Sequence, residues 1–332
     1  MKTKAETILA PTLIAQMPHA LADAAPLGKA LGLSGFYQGK VRDNWSRGDQ
    51  RILVVSDRIS AFDRLLGVIP FKGEMLTQIA RFWFEKTAKQ VPNHLLSVPD
   101  PQVMIAKEAK AIPLELIVRA RLTGSLWREY ESGKHQAGGE AAYGITLPKG
   151  MTQYQAFAQP IITPSTKAAY GEHDTPISAK EIVARGICTP AEWERVQALA
   201  LTLFDAGSAH AKARGLVLVD TKYEFGRHGG EIIAIDEVHT PDCSRYWYAD
   251  DLDARIKAKE TPRMLDKEFL RGWLIEHGWK GDGPPPEIPD SVRAELARRY
   301  LELYEVLVGS PLEVHSGPVL ARVEQNLRKA LA

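Results

Sequence analysis

Cysteine is nearly absent from this chain. Cys188 and Cys243 stand alone, 55 residues apart, with no Cys-x-x-Cys pair anywhere in 332 residues. That excludes a disulfide framework and a thiolate zinc site, and it fits a reducing interior. Charge of one sign is missing as well: 42 Lys and Arg against 41 Asp and Glu leave a formal net charge of +1. No global field gathers polyanions, which argues against a general nucleic-acid binder. Apolar runs such as Leu216 to Val219 and Ile232 to Ile235 fall far short of the ~20 residues a spanning helix needs. Near the N-terminus, Glu6, Pro11, Gln16 and Pro18 interrupt what would be the core of a signal peptide. The expectation is a cytoplasmic protein with no membrane partner. The nine histidines form no His-Glu-x-x-His pair and no Gly-x-Ser-x-Gly occurs, so a zinc hydrolase or an esterase of that type is not supported.

What is present is ordinary globular composition, 45% hydrophobic and 25% charged, with a length that suggests about two domains. Residues 1–30 read as an N-terminal extension, 31–115 as a sheet domain, and 116–332 as a larger domain ending in helices. Short strand signals at Phe36-Tyr37, Val41, Ile52 to Val55 and Val68 to Phe71 precede an amphipathic helix over Met75 to Lys86. Strand signals return at Val103 to Ala106 and Leu114 to Val118, and the glycine-rich stretch Ser132 to Lys149 reads as a surface loop. Ser178 with Glu181 makes a capping box, and Thr189-Pro190-Ala191-Glu192 opens a second helix running to Arg214. Strands over Leu216 to Phe225 and Glu231 to Val238 and a final helix from Asp290 to Leu307 complete an α+β pattern.

The segment Asp220-Thr221-Lys222-Tyr223-Glu224, facing Glu231 to Asp236, carries the most chemistry. In a strand, Asp220, Lys222 and Glu224 share one face while Val219, Thr221 and Tyr223 share the other. A three-residue turn would set Glu224 opposite Asp236, close enough for both to reach one ion. A two-residue Gly229-Gly230 turn slips the register and sends them to opposite faces. The sequence leaves both turns open. If the carboxylates converge, two hard oxygen ligands suit Mg²⁺ completed by water and phosphates; otherwise the face is solvated polar surface.

Phosphate contacts are suggested by Gly35-Phe36-Tyr37-Gln38-Gly39-Lys40-Val41-Arg42. It is not a Walker loop, because only three residues separate Gly35 from Gly39 and Val41 stands where Ser or Thr belongs. A glycine turn still lets backbone approach phosphates while a lysine supplies a point charge. Arg119 and Arg121 before Thr123-Gly124-Ser125, Ser244-Arg245, and Arg271 are candidate anion clamps.

Together these segments resemble the phosphoribosylaminoimidazole-succinocarboxamide synthase (SAICAR synthetase) family. The matching stretches are Gly39 to Asp43, Ser56 to Asp63, Ile112 to Glu115 through Arg119 to Ser125, and Thr163 to Lys167 with Gly171 to Asp174. They continue with Asp220 to Gly226, Asp236 to Val238, Thr240 to Asp242, and Ser244-Arg245, spanning roughly residues 36 to 308. The resemblance implies an α+β fold with an N-terminal antiparallel sheet domain, a larger α+β domain and a kinase- or ATP-grasp-like ATP cleft between them. It implies ligation of L-aspartate to the carboxylate of carboxyaminoimidazole ribotide, with ATP and Mg²⁺, through an acyl phosphate. Gly39, Lys40, Arg42, Lys110 and Glu115 would contact ATP, and Glu224 and Asp236 would hold Mg²⁺. Lys222, Asp220 and Asp242 would act in catalysis; Arg119, Ser125, Asp174, Ser244, Arg245 and Arg271 would hold substrate. No nucleic acid and no obligate protein partner is implied. Ala169-Tyr170 and His239 depart from the family pattern. An ATP-dependent small-molecule kinase and a non-catalytic nucleotide-binding regulator are the competing readings.

Overall fold

Short strands separated by tight turns build the first sheet, as the apolar spacing predicts at Phe36-Tyr37 and Ile52 to Val55; the expected strand from Val68 to Phe71 instead ends a separate hairpin at Val68 and leads into a helix. In the computed structural model, which describes residues 10–62, 64–133, 143–167, 174–265 and 267–332, β1 (Ser34–Gln38), β2 (Arg42–Arg47) and β3 (Gln50–Val55) form a meander. A separate hairpin, β4 (Arg58–Ala61) and β5 (Arg64–Val68), follows. β6 (Leu95–Asp100) and β7 (Val103–Lys107) complete an antiparallel sheet ordered β1-β2-β3-β7-β6. Asp63, Asp266, Ala169-Tyr170 and Gly171-Glu172-His173 lie outside the described residues, as does 134–142 of the glycine-rich stretch.

Strand alternation gives this sheet two apolar faces. Leu53, Val55 and Met104 join the main core under helix α3 (Lys72–Thr87), whose buried Met75, Ile79 and Trp83 fit the predicted periodicity. Helices α1 (Ala10–Gln16) and α2 (Pro26–Leu31) precede the sheet in the chain. Trp45, Ile52, Val54 and Val103 face the other way, against Leu21, Leu27 and three residues from the chain's far end, Val319, Val323 and Leu327.

The chain leaves the first sheet at Lys107 and enters the second at once. β8 (Lys110–Ala111) pairs with β11 (Leu216–His228), which also pairs with β9 (Leu114–Arg121), β12 (Glu231–Ile235) and β13 (Ser244–Tyr248); β10 (Ala156–Thr166) flanks β9. Helix α4 (Gly124–Glu131) follows β9. Helices α5 (Ala179–Ala184) and α6 (Pro190–Ala213) both start with reciprocal capping boxes, Ser178 with Glu181 and Thr189 with Glu192. Beyond α7 (Leu252–Lys257) and α8 (Glu268–Glu276), α9 (Asp290–Val308) packs on α3, and α10 (Val319–Leu331) returns to the first sheet. The architecture is α+β with antiparallel sheets. Among the described residues no helix is long and apolar enough to cross a membrane.

Candidate active site

A cleft of about 670 Å³ opens between the glycine turn at Gly39–Arg42, the inter-sheet segment Lys107–Ala111 and the β11–β12 hairpin. The hairpin uses the shorter turn. His228 pairs with Glu231 and Glu224 with Ile235, leaving Gly229 and Gly230 at φ 59° and 84°, the positive values that a two-residue turn requires. Alternation alone would then separate Glu224 from Asp236. It fails because the strand ends at Ile235 and Asp236 turns left-handed, φ 68°. Both carboxylates line the same cleft.

Lys222 ties this wall together. Its Nζ lies 3.0 Å from Glu115 Oε1 and 3.8 Å from Asp236 Oδ2, and it also donates to Glu224 Oε1. Lys167, on the segment after β10, donates to the other Glu224 oxygen. From the opposite wall, Arg42 reaches Asp236 Oδ1 at 2.8 Å and Glu237 Oε2 at 2.7 Å. Burial alone would raise the Asp236 carboxyl, but Arg42, Lys222 and Lys167 outweigh it and hold it well below the usual range. Burial likewise works against a charged Lys222, yet Glu224, Glu115 and Asp236 keep its ammonium firmly protonated. Unlike Asp236, Glu115 is pushed up by burial despite Lys222. Among the described residues no three Asp, Glu, His or Cys converge as a ready metal cage. Two hard carboxylates fit Mg²⁺ instead, which takes one or two such ligands and leaves the rest of its shell to water and phosphate.

The glycine turn is braced from behind. Gly39 N donates to Arg42 O at 2.7 Å, and a Cβ at Gly39 would sit 2.9 Å from that oxygen. Arg58 donates to the carbonyls of Gly39 and Lys40, each at 3.0 Å, while forking onto Asp43 at 2.7 and 3.1 Å. Ser56 Oγ donates to Val41 O at 2.8 Å. The turn that carries Lys40 is therefore pinned by a buried guanidinium. Lys40, Lys110, Asp174 and Arg271 line the cleft with the residues already named.

At its far end Asp242 accepts from Lys72 Nζ at 2.7 Å and from the Tyr300 hydroxyl at 2.9 Å. Burial would raise Asp242; Lys72 and Lys267 hold it well below the usual carboxylate range. Burial pulls Lys267 below the usual lysine value although Asp242 opposes this.

Five expected site residues are not among those lining this cleft: Asp220, Arg119, Ser125, Ser244 and Arg245. Most of them form an adjoining cluster. Asp220 Oδ2 lies between Arg245 Nη1 at 2.6 Å and Arg119 Nη1 at 3.2 Å. Arg119 also donates to Thr163 Oγ1 at 2.8 Å and Ser125 Oγ at 3.2 Å. Gly124, φ 60°, opens α4 against Arg245, and a Cβ there would come within 2.8 Å of the guanidinium. Asp220, expected to act in catalysis, is buried and pairs with both arginines. Ser244 is buried and donates to Thr221 Oγ1 at 2.7 Å, fastening β13 to β11. Glu268 joins the cluster to the cleft, 3.6 Å from Arg245 and paired with Arg271.

Lys72, Lys167, Lys267, Glu237 and Arg58 were not assigned roles from sequence. Lys167, Arg58 and Glu237 lie inside stretches that match the family, which is the available signal. Lys167 meets Glu224, 57 residues away, and Arg58 meets partners 15 to 36 residues away, beyond any local pattern.

Comparison with known proteins follows the same lines. Residues 35–286 match the family described as SAICAR synthetase. The phosphoribosylaminoimidazole-succinocarboxamide synthase of Legionella pneumophila (strain Paris) is 43% identical over 325 residues, covering 95% of this chain and 100% of its own. A solved structure of SAICAR synthase from Saccharomyces cerevisiae in complex with SAICAR is 32% identical, with a TM-score of 0.72, and covers 85% of this chain and 97% of its own. A SAICAR synthetase (type 2) solved with ADP shares the fold at 24% identity and a TM-score of 0.64, covering 84% of this chain and 100% of its own.

Proposed function

This chain belongs to the SAICAR synthetase family and is an ATP-dependent ligase of purine biosynthesis that forms SAICAR; on that premise we propose how its cleft divides the work. Carboxyaminoimidazole ribotide and L-aspartate are the substrates joined. The ribotide carboxylate takes the terminal phosphoryl group of ATP, and the aspartate amine displaces phosphate from the acyl phosphate.

ATP lies along the Gly39–Arg42 turn, with Lys40 and Arg42 toward its phosphates and Lys110 and Glu115 toward its base and sugar. Glu224 and Asp236 would hold Mg²⁺, which would supply neutralisation of phosphate charge and polarisation of the transferring group. Lys222 stabilises charge on that group, because phosphoryl transfer depends on positioning and electrostatics more than on covalent help. Arg119, Ser125 and Arg245 form the anion seat for the ribotide, with Gly124 leaving room beside the guanidinium. Arg271 and Asp174 border the cleft side of that seat. Asp242, paired with Lys72, orients the amine substrate.

The observation that carries the reading is the meeting of Lys222 with Glu115, Glu224 and Asp236 at one point of an open cleft. A coupled ADP-release assay with each substrate omitted in turn tests it. ADP forms only with ATP, ribotide and aspartate together. A kinase would release ADP without aspartate, and a regulator would bind ATP without turnover.

A further inference from the structure

We infer that the Tyr223–His239 hydrogen bond is a positioning device that fixes the strand bearing Lys222 and Glu224 against the loop bearing Asp236 and Asp242. Tyr223 sits between Lys222 and Glu224 on β11, so the pleat sends its ring away from the cleft and into the core, where it is 1% exposed. There its hydroxyl shares a 2.5 Å hydrogen bond with His239 Nε2. His239 lies midway between Asp236 and Asp242. One contact therefore joins two of the chain segments that supply the cleft's acidic groups, the one with Glu224 and the one with Asp236, Glu237 and Asp242.

The loop needs such a fastening. Its backbone is left-handed twice, at Asp236 (φ 68°) and again at His239 (φ 55°), a conformation that side-chain-bearing residues hold only when their surroundings impose it. Three groups impose it on His239. The Tyr246 hydroxyl donates to its carbonyl at 3.0 Å, the Trp83 ring meets its imidazole edge-on at 4.4 Å, and Tyr223 takes its ring nitrogen.

Space for the imidazole is built into a neighbouring helix. Gly207 lies in the interior of α6, where glycine weakens a helix relative to alanine. A Cβ at Gly207 would sit 2.4 Å from His239 Cε1. The second ring nitrogen, Nδ1, is buried with no hydrogen-bond partner among the described residues. A packing role alone gives no reason for a polar ring here, since an apolar side chain would fill the same space without an unpaired nitrogen. The directional bond to Tyr223 is the reason. It fixes a separation that apolar contact leaves loose, at a place where an ångström matters to chemistry.

This inference rests on the cleft being the nucleotide site. If that reading failed, the unaltered protein would not bind ADP with Mg²⁺; if only the inference failed, it would bind and the variants would match it. The test compares the unaltered chain, Tyr223→Phe, and Tyr223→Phe with His239→Leu. The melting temperature of each is determined first, and affinity for ADP (by calorimetry in Mg²⁺) and kcat are then measured below the lowest of them. Tyr223→Phe should weaken ADP affinity about five-fold and lower kcat about ten-fold. The double variant removes both polar partners and should regain melting temperature while keeping both defects. Unaltered affinity and kcat in the double variant would overturn the inference, whatever its stability. If Tyr223→Phe alone does not fold, the double variant decides in the same way.

Discussion

Arg42 Nη1 lies 2.8 Å from Asp236 Oδ1, so the first sheet and the loop after β12 are joined across the cleft by an ion pair. The second arm of the same guanidinium reaches Glu237 at 2.7 Å. One arginine thus balances two carboxylates that a bound nucleotide would approach, and it must share Asp236 with any metal held there.

Arg42→Ala leaves Asp236 and the buried Glu237 short of a counter-charge. Breaking a buried pair by removing one partner costs on the order of 3 kcal/mol. The variant should melt at a lower temperature and bind ATP about ten-fold more weakly, by thermal denaturation and calorimetry. Unchanged melting and unchanged affinity together would show that the bridge matters to neither.

Glu224→Gln keeps the shape of a side chain that binds both Lys167 and Lys222 but removes its charge. Turnover should fall by orders of magnitude and stay low when Mg²⁺ is raised to saturation. Near-normal kcat at high Mg²⁺ would take the metal role away from Glu224.

These two predictions draw on parts of the molecule that were readable to different degrees. Helices α5 and α6 were readable because a capping box is a local device, four residues long, and the same was true of the periodic face of α3. The β11–β12 register was not, because two- and three-residue turns fit the same glycines, and alternation does not anticipate the left-handed turn that returns Asp236 to the cleft. Arg58 and Lys167 sat in recognised motifs, yet what they touch is set by how separate strands meet. Helix α10 lies beyond the helix from Asp290 that the sequence marks as final, yet its Val319, Val323 and Leu327 pack on the first sheet. The Asp220–Lys222–Glu224 face was correct as an alternation, but Asp220 lies deeper, between Arg119 and Arg245.

Arg245→Ala should raise the ribotide KM about ten-fold or more and leave ATP affinity within two-fold. The motive is its place beside Gly124 and Asp220, outside the cleft wall that faces the glycine turn. Steady-state kinetics with each substrate varied separates the two, and an unchanged ribotide KM would remove Arg245 from the anion seat.

Acid should destabilise the fold through buried neutral histidines. Burial pushes His239 down to about 3 and His94 down to about 4. The unfolded chain protonates both near 6.5, so below that pH it binds more protons than the folded protein. Stability falls by about 1.4 kcal/mol per pH unit for each histidine until its folded value is reached. Asp57, pushed up to about 6 by burial from an ordinary 3.8, binds its proton more tightly when folded and opposes one of them across that window. Urea unfolding between pH 7 and 5 should show the decline, and His239→Leu should remove one proton from its slope. An identical slope in the variant would mean that His239 is not the neutral group described.

Transfer of a phosphoryl group to a substrate carboxylate beside Lys222 is tested most directly by oxygen tracing. With ¹⁸O in the ribotide carboxylate, attack on ATP carries one labelled oxygen into the acyl phosphate, and displacement by the aspartate amine releases it as inorganic phosphate. The account predicts one ¹⁸O in the phosphate for each SAICAR formed. Phosphate that emerges without label while SAICAR accumulates would contradict it.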